Sequence, residues 1–419
     1  MNLSKYKSIF TSVLTAILTV IFLTGVSFAQ SDSRISGTVT DANGAIVAGA
    51  SVTVKNEKTG EERTVTANAD GIFTVVALKP TTYTITASAN NLEFSQKGIE
   101  LLVGQETNVS VVLQVKGTVV QVDILSNEEL AVNTSSASLS ANVNQREVQG
   151  LPVNGRQLSQ LYLQAPGATN SGTGTFGDIR FTGRAVQQNV IRYDGVEGSA
   201  IIDASPGNLN GEVPSPFRLQ SSLENIQEFR VDSSNFPAEQ GTGTGGQISV
   251  VTKSGGNQFH GSAFEYLRRD ALDARNFFDN VTAGVPKSKL TLDQFGGSIG
   301  GPIIKDKFFF FGSYEQYRGR FGLTFVEAAP SLSLAQAGAL IPGTSTPVNP
   351  AIQPYITGFR SPNATVLSGA SANNGFDILQ LQDNEKTNEK AFALRLDYQV
   401  NQFNKLYFRF FRDQGTDVA

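Results

Sequence analysis

Between Arg34 and Val115 the chain alternates apolar and polar positions in short runs: ISGTVT, ASVTVKN, RTVTANAD, IFTVVAL, YTITASA and NVSVVLQV. Asn43-Gly44 and Asp70-Gly71 sit between runs, where glycine accepts positive φ without strain. Period-2 runs broken by regular turn signals predict a β-sandwich over residues 33–116, with Greek-key links. Residues 117–140 have another texture. VVQVDIL is a short alternating strip, and SNEELAVNTSSASLSA is rich in Ser and Asn and reads as linker.

Residues 141–256 mix signals. In LPVNGRQLSQLYLQAPG, Asn154 is placed to cap a short helix bearing Leu158, Leu161 and Tyr162, and Pro166-Gly167 ends it. In SSLENIQEFRVDSSN, Ser221 precedes Glu224 by a capping-box spacing, so a short helix leading into a strand at Phe229–Val231 is expected. The unit reads as mixed α/β with glycine-rich loops.

From 257 to 419 only alternation remains. In KAFALRLDYQV one face carries Phe392, Leu394, Leu396, Tyr398 and Val400; the other carries Ala391, Ala393, Arg395, Asp397 and Gln399. KLYFRFFRD sets Leu406, Phe408 and Phe410 against Tyr407 and Arg409. Such strands suit a membrane barrel with lipid outside and a polar lumen, and they equally suit a soluble sandwich. KFFFFGSYEQYR, residues 307–318, would be an aggregation hazard in water. In a barrel wall Phe309 and Phe311 face one side and Phe308 and Phe310 the other, with Tyr314 and Tyr317 running toward the membrane boundary. Five wall strands are expected, around Phe259–Leu267, Leu290–Gly300, Phe308–Tyr317, Phe392–Val400 and Leu406–Phe411, with a long extracellular loop from Phe321 to Glu389. A closed barrel needs at least about eight strands, so this pattern predicts an incomplete barrel and a chain that is the N-terminal portion of a longer protein.

The N-terminus supplies an address. Lys5 and Lys7 precede the apolar run Val13–Val26, and Ser27-Phe28-Ala29 offers a small-residue cleavage site. This is the pattern of a signal peptide over residues 1–29; a membrane anchor is the other reading, but the run is shorter than the ~20 residues that span a bilayer. Charged residues make up 17% of the chain, below the ~25% usual for soluble domains. The net charge of −4 argues against nucleic acid as a partner. The absence of cysteine excludes disulfide and thiolate chemistry.

Catalytic and cofactor chemistry finds little footing. Gly241 to Gly246 satisfies G-x-G-x-x-G, but the β-rich QISVVT follows instead of a helix, so a tight turn is the better reading. His260 is the only histidine, which rules out a zinc-binding histidine pair, and no nucleophile elbow accompanies it. It is expected to be a structural residue where the preceding domain meets the wall. Asp32, Asp41, Glu57 and Asp70 lack the spacing of a calcium loop and read as solvated turn carboxylates. No catalytic residue, metal or cofactor is assigned.

Two resemblances organise these parts. GTVTDANGAIVAGASVTVKNEKTGEERTVTANADGIFTVVALKPTTYTITA resembles the carboxypeptidase regulatory-like domain, an immunoglobulin-like sandwich, with Thr81 where that family usually has glycine after Pro80. LPVNGRQLSQLYLQAPG, FTGRAVQQNVIRYDGVEGS, ENIQEFRVDSSNFPAEQGTGTGGQISVVTKSGGNQFHGSAFEYLRRDALDARNFF and LDQFGGSIGGPIIKDKFFFFGSYEQYR resemble TonB-dependent outer-membrane receptors of the Oar-like type, in family order. The resemblance implies a mainly β chain: sandwich at 33–116, linker with a candidate TonB box at 117–140, plug domain at 141–256 and the first strands of an outer-membrane barrel at 257–419. It implies energy-coupled nutrient uptake, with TonB, ExbB and ExbD as partners, outer-membrane lipid around the wall and an imported ligand, for which an oligosaccharide is one candidate. The N-terminal domain would lie in the periplasm. Val119, Val120, Val122 and Ile124 would contact TonB, and Arg180, Arg184, Arg192 and Asp194 would hold the plug to the barrel. The alternative is an exported carbohydrate-binding or adhesion module built on the sandwich.

Overall fold

The computed structural model describes residues 33–116, 138–153, 156–170, 179–197, 221–241, 243–274, 287, 289–336, 338–358, 365–368, 375–401 and 404–418. The expected signal peptide at 1–29, the strip at 119–125 and Asn154 lie outside the described residues.

The N-terminal unit has seven strands: β1 (Ser33–Asp41), β2 (Ser51–Asn56), β3 (Glu62–Thr66), β4 (Ile72–Leu78), β5 (Thr81–Ala89), β6 (Leu92–Leu101) and β7 (Glu106–Val115). They run in the order β3-β2-β5-β6-β7-β1-β4, with β1 and β7 parallel. β6 and β7 pair only at Leu92↔Val115 and Glu93↔Gln114, so the sheet folds over at that corner. Ile35, Val39, Val52, Phe73, Ile85, Leu101, Val111 and Leu113 fill the space between the layers. β6 is one strand more than the pattern predicts. Its sequence, LEFSQKGIEL, carries Ser, Gln and Lys through its middle, and its sparse apolar positions obscure the alternation.

The middle unit follows. β8 (Leu139–Val143), β11 (Val190–Tyr193), β12 (Val196–Glu197), β13 (Ile226–Ser234) and β14 (Gln247–Thr252) form a sheet ordered β12-β11-β14-β13-β8, and β9 (Ala168–Asn170) pairs with β10 (Ile179–Phe181). β14, QISVVT, is covered on both faces, so its polar Gln247 and Ser249 are buried along with Ile248 and Val250. A one-and-a-half-turn helix, Gln145–Gly150, carries a full capping box: Asn144 accepts from the Glu147 N–H at 3.0 Å, and Glu147 accepts from the Asn144 N–H at 2.8 Å. At the expected capping box, Ser222 rather than Ser221 is the cap, and the element is a 3₁₀ turn, Leu223–Asn225, leading into β13. The glycine run 241–246 is a packing device. Gly241 and Gly243 hold φ of 74° and 94°, and a Cβ on Gly246 would lie 2.3 Å from the Phe181 ring.

The third unit is a sheet of long strands: β15 (His260–Arg269), β16 (Leu290–Ile304), β17 (Phe308–Pro330), β18 (Thr365–Ser368), β19 (Phe376–Gln399) and β20 (Lys405–Val418). The neighbours β15-β16-β17-β19-β20 are antiparallel, and β18 adds to the upper part of β19. The loop is therefore shorter than expected. β17 runs on to Pro330 and β19 begins at Phe376, pairing residue for residue across what sequence alone assigns to the loop. No Pro or Gly-rich break marks those strand halves, but their outer residues mix charge and apolar character and give no face. None of the described helices is long and apolar enough to cross a membrane.

The burial of this sheet is inverted relative to a soluble one. Among the described residues its own buried core is three residues, Leu292, Tyr317 and Ala391. Glu315 and Glu389 are wholly buried, and Arg395 and Asp397 nearly so, while Phe392, Tyr398, Leu406, Phe408 and Phe410 stand exposed. Phe309 and Phe311 point inward, and Tyr314 outward. Tyr317 corrects the expected boundary position. It lies on the inward register with Glu315 and Phe311, at 2% exposure, because period 2 places every odd residue of this strand inside. His260 is exposed at the start of β15, its Nδ1 3.1 Å from the Gln258 carbonyl oxygen, and does not join the interface below.

Candidate functional site

Strands that bury charges on one face need partners there, and the middle unit supplies them. Two clusters hold it against the inward face of the long sheet.

The first is built on a hairpin. Tyr193 pairs with Val196 across a two-residue loop, Asp194-Gly195, with φ of 48° and 84°. Positive φ at both positions is the tight hairpin geometry that Asp-Gly favours. The loop thrusts the Asp194 carboxylate out of the sheet edge. Oδ1 accepts from the Thr252 N–H at 2.9 Å and Oδ2 from the Thr252 hydroxyl at 2.7 Å. Across the interface Arg395 of β19 approaches Oδ1 at 3.2 Å and Arg409 of β20 approaches Oδ2 at 2.7 Å. Arg395 also grips Asp397 at 2.8 Å and donates to the Thr252 carbonyl at 3.0 Å. Arg395 and Arg409 are cross-strand partners in the β19–β20 register, so both point the same way.

The second cluster centres on Glu224, at the head of β13. Arg156 pairs with it at 3.0 Å, Lys253 at 3.8 Å, and the Ser262 hydroxyl of β15 donates at 2.7 Å. Arg156 also lies 3.5 Å from Glu315 of β17, and its guanidinium stacks 4.1 Å from the Phe264 ring centroid. Gln294 donates to Glu315 at 2.7 Å, and Ser222 and Asn225 reach Glu315 and Ser313 respectively. Burial raises the Glu224 carboxyl pKa, but Ser262, Lys253 and Arg156 outweigh it and hold the group below its ordinary value. Burial pushes the Lys253 ammonium down, with Glu224 opposing. Between the clusters lies a cavity of about 110 Å³ lined by Tyr193, Asn225, Lys253, Phe311, Ala393 and Phe411 among others. The Asn225 side-chain nitrogen there is buried without a hydrogen-bond partner.

Of the residues expected at such an interface, Asp194 meets the long sheet. Arg192 stays within the middle unit, donating to the Gln247 side chain at 2.7 Å and to the Gln240 carbonyl oxygen. Arg180 and Arg184 are exposed, and neither pairs with the long sheet among the described residues. Val119, Val120, Val122 and Ile124 lie outside the described residues. Sequence reasoning missed Arg156, Glu224 and Glu315. The signal available was alternation: Glu315 shares the inward register of Phe309 and Phe311, and a carboxylate there demands a cation.

Residues 34–114 match the carboxypeptidase regulatory-like domain, and residues 251–419 match an outer membrane beta barrel domain. Over 304 residues, 69% of the chain, the sequence is 28% identical to the TonB-dependent transporter Oar of Myxococcus xanthus. The chain is thus similar, in sequence and in the order of its domains, to TonB-dependent outer-membrane receptors of the Oar-like type. It covers 27% of the length of that Myxococcus relative. Among solved structures, the siderophore receptor PirA from Acinetobacter baumannii aligns over 67% of this chain and 40% of its own, at 15% identity and a TM-score of 0.33. The group B streptococcus pilus 2b backbone protein aligns over 20% of this chain and 40% of its own, at 18% identity and a TM-score of 0.17. A chain with an outer membrane beta barrel domain resides in the outer membrane, and the exposed apolar face of β19 and β20 is the face that lipid covers.

Proposed function

We propose that this chain is the plug-bearing part of an energy-coupled receptor that imports a ligand across the outer membrane, with no enzymatic step. The observation that carries the reading is the inverted long sheet: apolar side chains out and charges in, where Arg395 and Arg409 meet Asp194 and Glu315 meets Arg156 of the middle unit. In this reading residues 141–256 are the plug, and Arg156, Asp194, Glu224 and Lys253 seat it in the lumen. The same inversion separates the proposal from an exported binding module, whose strands would bury apolar residues and expose charged ones. The turns at 305–307 and 400–404 are short and lie on the sandwich side, whereas the connections at 270–289 and 331–375 are long. Short turns face the periplasm in such barrels, so the sandwich is periplasmic.

Import against a gradient needs work, and TonB, with ExbB and ExbD behind it, would deliver it to an extended strip by strand addition. Val119, Val120, Val122 and Ile124 are the residues proposed to take it. Because the chain has no cysteine, Val120→Cys gives a unique handle. In outer membranes carrying the complete receptor, it should form a disulfide with a cysteine-bearing TonB periplasmic domain. Recovery of the chain only in soluble fractions would refute the membrane reading. Absence of the cross-link at Val119, Val120, Val122 and Ile124 alike would refute the strip.

A further inference from the structure

The sandwich touches both other units, and those contacts carry an inference that rests on the plug reading above. On the plug it meets one strand, β13. Gln227 donates to the Pro80 carbonyl at 2.8 Å, the Val103 N–H donates to Glu228 at 2.6 Å, and Arg230 donates to the Gly104 carbonyl at 3.0 Å. On the wall it meets the short turns and their flanks. Lys79 pairs with Asp397 at 3.1 Å, Glu61 pairs with Lys405, and the Asn257 N–H donates to the Lys58 carbonyl at 2.9 Å. Val103 shows that the contact is closed. It is 3% exposed yet belongs to no part of the sandwich core; it lines a cavity of about 90 Å³ where sandwich, plug and wall converge. Its burial comes from docking.

We propose that the sandwich is a bolt: a single domain seated at once on the plug and on the periplasmic rim, which resists plug movement until it is displaced. The argument is geometric. Asp397 carries both ends of the device, holding Arg395, which reaches Asp194 on the plug, and Lys79 of the sandwich. A plug strand pinned on its periplasmic face by Gln227, Glu228 and Arg230 cannot leave the lumen without breaking those bonds or carrying the sandwich with it. Separating the sandwich first exposes Val103 and strips the outer bonds from β13.

The test uses the full chain in outer membranes with Val103→Cys as its sole thiol, read by the rate of maleimide labelling and by hydrogen exchange of β13 and β14. Docking predicts labelling at least about tenfold slower than in the urea-unfolded chain. Lys405→Glu, which sets like charges against Glu61, should speed labelling about tenfold and raise β13 exchange with it. Adding Glu61→Lys should restore both, which separates lost attraction from misfolding. Fast labelling of the unreversed chain overturns docking. Faster labelling with unchanged β13 exchange overturns the bolt, because the plug would then be indifferent to the sandwich. Neither readout involves uptake, so failure of the bolt and failure of the transport reading are told apart.

Discussion

Replacing Asp194 by asparagine removes one charge and almost no volume, which makes it the sharpest probe of how the middle unit is held. The carboxylate is 1% exposed and faces Arg395 at 5% and Arg409 at 22%. Breaking a buried pair by neutralising one partner costs about 3–5 kcal/mol when the other charge is left alone. Arg395 keeps Asp397 at 2.8 Å, and Arg409 borders the cavity, so each has partial relief. The expected loss is about 2–3 kcal/mol, which is roughly 30- to 150-fold in a local opening constant. The asparagine oxygen still accepts from the Thr252 N–H, so the hairpin should keep its shape. Hydrogen exchange of the β11 and β14 amides, measured on the full chain in detergent, reads this opening directly. Protection that changes by less than about twofold would mean that Asp194 is a spectator and that packing alone seats the unit. Because the pair is buried, the difference between Asp194→Asn and the unaltered chain should also persist at about 1 M salt.

Three further outcomes follow from other sites. Gly246→Ala should cost about 1–3 kcal/mol by overpacking, lowering the melting temperature, and Phe181→Leu in the same chain should recover part of the loss. Leu394→Arg, on the lipid face of β19, should cost roughly 2–4 kcal/mol and lower the yield of membrane-inserted chain, whereas Thr53→Arg on the exposed face of the sandwich should leave insertion unchanged. Burial at the docked interface, with Glu100 adding to it, pushes the Glu228 carboxyl up to about 8, while the Val103 N–H opposes the shift; the Arg230–Asp232 pair lies beside it on the same strand. A proton is therefore held more tightly docked than free. Docking is strongest near and below pH 4.5 and weakens as pH rises toward about 8, and Glu228→Gln should flatten that dependence in melts compared between pH 5 and 9.

Much of the architecture is legible because barrel walls and sandwiches both write period 2 into the chain. KAFALRLDYQV declares its two faces without reference to anything else, and Arg395 and Asp397 stand on the predicted inner one. What alternation cannot supply is the identity of the partner across a gap of sequence. Arg395 and Asp194 are 201 positions apart, and nothing local to either names the other. Arg184, Arg192 and Asp194 of FTGRAVQQNVIRYDGVEGS, and Arg180 just before it, look equivalent in sequence. Only the Asp-Gly hairpin, whose positive φ values turn one carboxylate outward, distinguishes Asp194 from Arg192, which the sheet turns back onto Gln247. The upper halves of β17 and β19 were hidden for the opposite reason. FGLTFVEAAP mixes Gly, Thr and Glu among its apolar residues and declares no face, and its pairing with β19 is carried by backbone hydrogen bonds.

Those upper halves also set a height. Twenty-three residues of β17 at about 3.3 Å each give a strand of about 75 Å, and a tilt near 40° leaves about 55–60 Å along the membrane normal. The apolar band of such a wall is only about 25 Å tall. Since the lower end is anchored at the short turns, most of the excess projects outward as a stiff mast of β17 and β19, with β18 along its edge near the tip. An approaching ligand or a neighbouring cell envelope would meet that tip some 30 Å before it met the lumen, at a distance set by strand length rather than by a flexible tether.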